Sequence, residues 1–248
     1  MAVIDLTRMD AVIFDTDGVV TDTARVHAAA WKHVFDGFLR GRSAPFDIRA
    51  DYLRYVDGRS RLDGIRTFLA SRGLTLPEGG PHDEPGAPTV HGLGLAKDAL
   101  FMRDVRDHGV AAFPSAVALL HELRRRGCLT AAVSSSRHGR AVVISAGLMH
   151  LFDVVVDGED VIRFGLPGKP NPALFLRAAS LLRVRAARAV VVDDTLPGVE
   201  AGRRGGFGLV VGIDCAGQGL ALRPGSADVV VSDLSELTVG GRVPVVQR

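Results

Sequence analysis

Five short apolar runs punctuate the chain: AVIF (11–14), LTAAVSS (129–135), DVVVDG (153–158), RAVVVDD (188–194) and FGLVVGI (207–213). Each is continuous rather than alternating and rich in β-branched residues, as in strands buried on both faces of a parallel sheet. Helical periods separate them. SAVALLHELRRRG (115–127) closes on basic residues and Gly, a C-terminal stop. HGRAVVISAG (138–147) and NPALFLRAASLL (171–182) share the period, and Pro172 stands early enough in the second to be tolerated. Strand and helix alternating from residue 113 onward predict an α/β fold with a doubly wound, Rossmann-like parallel sheet.

Residues 24–110 break that alternation. ARVHAAAWKHVFDGFL (24–39), SRLDGIRTFLASRG (60–73) and LGLAKDALFMRDVRDHG (93–109) read as helices, the second opening with Ser60 and Asp63 in capping-box positions. LPEGGPHDEPGAPTVHG (76–92) is rich in Gly and Pro and reads as a mobile loop. No strand pattern occurs here. The chain therefore divides into an α/β core, residues 1–23 and 110–248, and an inserted all-helical cap, residues 24–109, expected to cover an active site at the carboxyl ends of the strands.

The 248 residues suffice for a sizeable core, and 47% hydrophobic with 23% charged residues is an ordinary globular composition. A net charge of +2 gives no strong field for nucleic acid or an anionic membrane. No apolar run is long enough to span a bilayer, and the N-terminus lacks a signal-peptide pattern. Cys128 and Cys215 fit no metal spacing and read as reduced core thiols, so a cytoplasmic enzyme is expected. Of 30 basic residues, 27 are Arg, leaving Lys32, Lys97 and Lys169 as the lysines. Lys32 reads as part of a solvated face. Lys169 does not: a Lys at a helix start opposes the macrodipole, and turn formers surround it, so a functional placement is expected.

Chemistry collects at the predicted strand ends. Asp15 and Asp17 follow the first strand, Ser134 the second, Lys169 precedes a later helix, and Asp193 and Asp194 close another strand. In a parallel sheet these ends converge on one crevice. Several carboxylates there repel unless a hard cation joins them, and Mg²⁺ suits an all-oxygen set completed by water and substrate phosphate. A lysine and a hydroxyl beside the cluster suit a transferring phosphoryl group.

FDTDGVVTDT, VSSS, GKPNPALF and VVDDTLPGVEAG resemble, in order and spacing, the four motifs of the haloacid dehalogenase superfamily of phosphotransferases. Within it, TDTARVHAAAW and VDGRSRLDGI resemble the β-phosphoglucomutase subgroup. The resemblance implies Asp15 as nucleophile through an aspartyl-phosphate, and Asp17 as general acid and base, its backbone carbonyl also reaching the metal. To donate a proton near pH 7, Asp17 would need a raised pKa, which exclusion of water could supply. Asp193 and Asp194 would hold Mg²⁺ with Asp15, and Ser134 and Lys169 would bind the phosphoryl group. In the cap, Thr23 and His27 would support Asp17, Arg61 would grip the distal phosphate, and Lys97 would join the substrate contacts. Ser136 and Arg137, continuing the second motif, would help hold that phosphate.

Two features depart from the subgroup's pattern in the cap: Asp57 stands where some relatives carry Lys, and Asp98 where an Asn is expected. Thr16 replaces a commoner aliphatic residue. His33, His82, His91, His108, His121, His138 and His150 fit no metal spacing and read as surface or loop. GLPGKP lacks the leading Gly of a P-loop, and Pro follows its Lys. A signalling receiver domain would carry its acidic pair on the first strand and its acceptor later, the reverse of this order. The implied function is interconversion of β-D-glucose 1-phosphate and glucose 6-phosphate, primed by glucose 1,6-bisphosphate, in a monomer. The alternative is a Mg-dependent phosphatase of small sugar phosphates.

Overall fold

A computed structural model describes residues 2–214 and 227–242. The chain forms two compact units, Met1–Asp22 with Ala111–Arg248, and Thr23–Val110. In the first, strands β1 (Ala2–Asp5), β2 (Ala11–Asp15), β3 (Leu129–Val133), β4 (Val154–Val156), β5 (Ala189–Asp193), β6 (Leu209–Ile213), β7 (Val229–Val231) and β8 (Leu237–Gly240) build two sheets. Six strands pair in parallel in the order β4-β3-β2-β5-β6-β7, and β1 pairs in parallel with β8 apart from them. The strand order reverses between β2 and β5. The register sets Phe14 against Val192, which brings the next residues, Asp15 and Asp193, side by side at the carboxyl ends. That is the switch point at which doubly wound sheets open a crevice.

The second unit contains helices α1 (Ala24–Leu39), α2 (Arg61–Ser71) and α3 (Val90–His108), with one π-helical turn, Tyr52–Val56, that periodicity did not reveal. Its core is aromatic: Phe35 stacks on Trp31 at 5.1 Å between centroids and meets Phe68 at 4.3 Å, and Phe46 meets Phe68 edge-on at 4.9 Å. Helix α3 starts three residues before the expected position because Thr89 caps it, its hydroxyl accepting from Gly92 N–H at 2.8 Å. Segment 76–92, expected to be mobile, is tied to this helix start. Val90 and His91 N–H donate to the Pro77 and Glu78 carbonyls, and Gly86 N–H to that of Gly92. Lys32 is likewise more than a solvated residue: its ammonium donates to Asp36 (2.7 Å) and to the Phe46 carbonyl (3.0 Å), joining α1 to the following segment.

The six-stranded sheet is covered on both faces by α4 (Pro114–Arg125), α5 (Gly139–Ser145), α6 (Gly158–Phe164), α7 (Ala173–Leu181) and α8 (Leu196–Arg204). Val12, Phe14, Val190 and Val192 share one buried cluster with Leu120 and Leu123 of α4. Ala11, Ile13 and Val191 share the other with Leu174 and Phe175 of α7 and Val199 of α8. Each fully buried Val, Ile or Phe contributes about 1.5–3 kcal/mol. Both clusters together explain the continuous apolar runs. Strands β1, β7 and β8 escaped sequence reading because they have three or four residues and half-exposed patterns, with Val3 55% exposed. The run at 153–158 ends as a strand at Val156, since Asp157 turns to form a capping box with Asp160 at the start of α6. Likewise the run at 129–135 leaves the strand after Val133. Among the described residues no helix is long and apolar enough to cross a membrane.

Candidate active site

The register that sets Asp15 beside Asp193 leaves two carboxylates without water around them: Asp15 is 5% exposed and Asp193 fully buried. Lys169, 4% exposed, is the counter-charge. Its ammonium donates to Asp15 Oδ1 and, at 2.7 Å, to Asp193 Oδ2, while packing over the Phe175 ring at 5.0 Å. The backbone N–H of Asp17 donates to the second oxygen of Asp15 at 3.1 Å, so the carboxylate is held from two sides. Asp17 accepts at Oδ2 from the Ser134 hydroxyl at 2.9 Å, which brings the end of β3 to the loop after β2. Asp15, Asp17, Ser134, Lys169 and Asp193, scattered over 179 residues, thus make one connected hydrogen-bonded group.

Residues around the carboxylates fix this geometry. Thr195 donates both its N–H (2.8 Å) and its hydroxyl (2.7 Å) to Asp193 Oδ1, and caps α8 by accepting from Gly198 N–H at 3.1 Å. Gly198 has to lack a side chain: a Cβ there would lie 1.9 Å from Asp193 Oδ2. Gly18, at φ +83°, is in the left-handed region, and a Cβ on it would meet Asp194 Oδ2 at 2.1 Å. Asp194 therefore lies against the loop that carries Asp17. Thr16 donates its hydroxyl to the Val133 carbonyl at 3.1 Å and ties that loop to β3. A Thr cap followed by Pro and Gly in DDTLPG was the available signal for Thr195 and Gly198.

Electrostatics at the centre are unbalanced toward negative. Burial raises the pKa of Asp15; Lys169 pulls it down, and Asp193 and Asp17 push it further up. Burial also opposes the Lys169 ammonium, but Asp15 and Asp193 outweigh it and hold its pKa above the ordinary value. One ammonium among several carboxylates leaves room in the charge balance for a hard cation. The side chains gathered with Lys169 offer oxygen donors only, which fits a hard cation such as Mg²⁺. Among the described residues no three acidic, His or Cys groups are gathered as a protein-only cage.

Ser136 supports the end of β3. Its N–H donates to Ser134 Oγ (3.0 Å), and its carbonyl accepts from Gly158 (2.9 Å). Arg137 is exposed and pairs with Glu159 at 2.6 Å. Asp157, 3% exposed, accepts from Arg140 and Glu159 N–H and locks this loop to α6. In the helical unit, Thr23 and His27 are buried at the start of α1. Lys97, 3% exposed, donates to His27 Nδ1 at 2.6 Å, lies over Phe101 at 4.5 Å, and His27 stacks on the same ring at 4.0 Å. Arg61 opens α2 and forms an ion pair with Asp98 of α3. Of the remaining histidines, His91 and His138 are half-buried rather than on the surface; the others are exposed. Cys128 is buried, and burial pushes its thiol up to about 12. Cys215 lies outside the described residues.

The sequence model of the haloacid dehalogenase-like hydrolases matches residues 9–206. A β-phosphoglucomutase of Mycobacterium bovis is 44% identical over 240 residues, 93% of this chain and 92% of its own length. One of Bacillus subtilis is 30% identical over 239 residues, with the same coverage. The crystal structure of a β-phosphoglucomutase from Clostridium difficile shares the fold, with a TM-score of 0.72 at 20% identity over 92% of each chain. Sheet order, strand-end carboxylates and these likenesses agree, and the chain belongs to the haloacid dehalogenase-like family, in its β-phosphoglucomutase-like subgroup.

Proposed function

We propose that the chain is a phosphomutase that interconverts β-D-glucose 1-phosphate and glucose 6-phosphate through glucose 1,6-bisphosphate. Likeness to a β-phosphoglucomutase at 44% identity along 93% of the chain carries this reading. Asp15 attacks the phosphorus of a donor phosphate, forming the carboxylate O–P bond as the P–O bond to the sugar breaks. Asp17 gives its proton to the departing sugar oxygen. In the return step a sugar hydroxyl attacks the aspartyl-phosphate, its proton passes back to Asp17, and Asp15 is released as carboxylate. A carboxylate needs no base to become a nucleophile, so the demand on the site is position and charge neutralisation. Lys169 supplies positive charge at Asp15, and Ser134 orients Asp17 by its hydrogen bond. Asp15, Asp194 and the Asp17 carbonyl would hold Mg²⁺, which would supply further neutralisation of the phosphoryl charge. Asp193 we assign to holding Lys169, given its three hydrogen bonds to Lys169 and Thr195.

In this reading Thr23 and His27 would support the acid–base step, Lys97 would join the substrate contacts, and Arg61 would take the second phosphate. Ser136 would contribute through Ser134, and Arg137 would help hold that phosphate. The reading places a monomer in the cytoplasm, acting on small sugar phosphates with the bisphosphate as primer. Phosphorus NMR of the purified protein with β-glucose 1-phosphate, Mg²⁺ and catalytic bisphosphate tests it. Glucose 6-phosphate accumulates faster than inorganic phosphate; phosphate dominating from the start would make the chain a sugar phosphatase.

A further inference from the structure

Arg61 is the first residue of α2, a place where a cation opposes the helix dipole, so its position needs an explanation. Helix α3 provides one. Gly94 and Asp98, one turn apart on the same face, form a slot for the Arg61 side chain. A Cβ on Gly94 would stand 3.0 Å from Arg61 Nε and 3.2 Å from its Cδ, so the missing side chain admits the guanidinium stem. Asp98 Oδ2 closes the slot on Arg61 Nη1. The two side chains are 14% and 18% exposed, so water screens the pair less than at an open surface. The preceding residue, Lys97, serves the other neighbour and donates to His27 of α1. Helix α3 therefore presents an anion to Arg61 and, one residue earlier, a cation to His27.

We propose that Asp98 is a specificity-determining residue that weakens the grip of Arg61 on a phosphoryl group by occupying and partly neutralising its guanidinium. The proposal rests on the reading that assigns Arg61 to the second phosphate. A carboxylate on the same guanidinium competes for its donors and repels the incoming phosphate. Such a brake has a purpose in a mutase. The bisphosphate has to present first one phosphate and then the other to Asp15, so an arginine that held either end too tightly would slow the exchange.

The test is a double-mutant cycle read by calorimetric titration of glucose 6-phosphate in the presence of Mg²⁺. It is carried out in the Asp15→Asn background so that no turnover intervenes. Asp98→Asn keeps the shape and a hydrogen-bond acceptor but removes the charge, and is expected to tighten binding about tenfold. Asp98→Glu keeps the charge and stays within about twofold of the parent, and in an Arg61→Ala background Asp98→Asn changes affinity by less than about twofold. Should Asp98→Asn not fold, Asp98→Ser carries the same expectation. Unchanged or weaker binding in Asp98→Asn, with Arg61→Ala still costing affinity, overturns the brake and makes Asp98 a support that holds Arg61 in place. If Arg61→Ala itself leaves binding intact, the assignment of Arg61 to phosphate fails, and the role of Asp98 fails with it. Product analysis by phosphorus NMR decides mutase against phosphatase independently of either result.

Discussion

At the scale of single residues, the site depends on side chains that are absent as much as on those present. Gly198 lets the first turn of α8 approach Asp193 so closely that a methyl group would overlap its carboxylate. Gly198→Ala should therefore push Asp193 away from Thr195 and Lys169. The expected outcome is a loss of about 1–3 kcal/mol of stability from overpacking, and a fall in turnover of up to about 10²-fold from displaced Lys169. Thermal melts and steady-state rates check it; unchanged values for both would mean that α8 retreats without disturbing the carboxylate. Asp15, Asp17, Ser134 and Lys169 were legible in the sequence because each is a polar or charged residue placed where an apolar run stops or a turn begins. Gly198 and Thr195 were not singled out, because a Gly after Pro and a Thr after Asp are common turn residues whose meaning depends on what they touch. Asp98 read as a departure from the family pattern; its partner Arg61 became visible with the packing of α2 on α3.

At the scale of elements, the helical unit depends on a small aromatic core assembled from α1, α2 and the segment between them. Phe68 touches Phe35, Phe46 and Tyr55 and is fully buried. Phe68→Ala should cost about 3–5 kcal/mol, transfer and cavity together. Hydrogen exchange checks where the loss falls: protection should drop across residues 23–110 while the central strands β2, β3 and β5 keep theirs. A uniform loss over both units would show that they unfold as one. The long elements were readable because period is a property of the chain itself. The exceptions were short: the π-helical turn, α6, and three strands of three or four residues lack enough periods to register. The ordering of segment 76–92 was unreadable for another reason, since its Gly and Pro content reports backbone freedom and says nothing of the carbonyls that receive the N–H groups of α3.

At the scale of the whole molecule, the two ends of the first unit are joined by charge as well as by the β1–β8 pairing. The Asp10 carboxylate takes Arg188 from just before β5 and Arg242 from beyond β8, and Arg242 also donates to the Leu6 and Gly127 carbonyls. The Arg188 guanidinium, with Arg242 behind it, holds the Asp10 carboxyl below the usual range. A carboxyl depressed in the folded state gives stability that is present above its unfolded pKa of about 3.9 and is lost as pH falls through the folded value. These side chains are about one-third exposed, so screening reduces the effect; Asp10→Asn should lose about 1 kcal/mol at pH 7. Denaturant titrations at pH 7, 5 and 3 should show the gap to wild type closing at the acid end, and a gap independent of pH would assign the loss to shape instead of charge. By itself the sequence determined the alternation of strand and helix, the helical insertion, and the acidic and basic residues that end the strands, because periodicity and residue chemistry are local. The tertiary structure decided what needs two distant segments at once: the register that sets Asp15 against Asp193, the lysine shared between them, the glycines that admit Asp193 and Asp194, and the carboxylate set on Arg61. Those are relations of distance, and a chain fixes distances between remote residues only when its two sheet faces and its helices have packed.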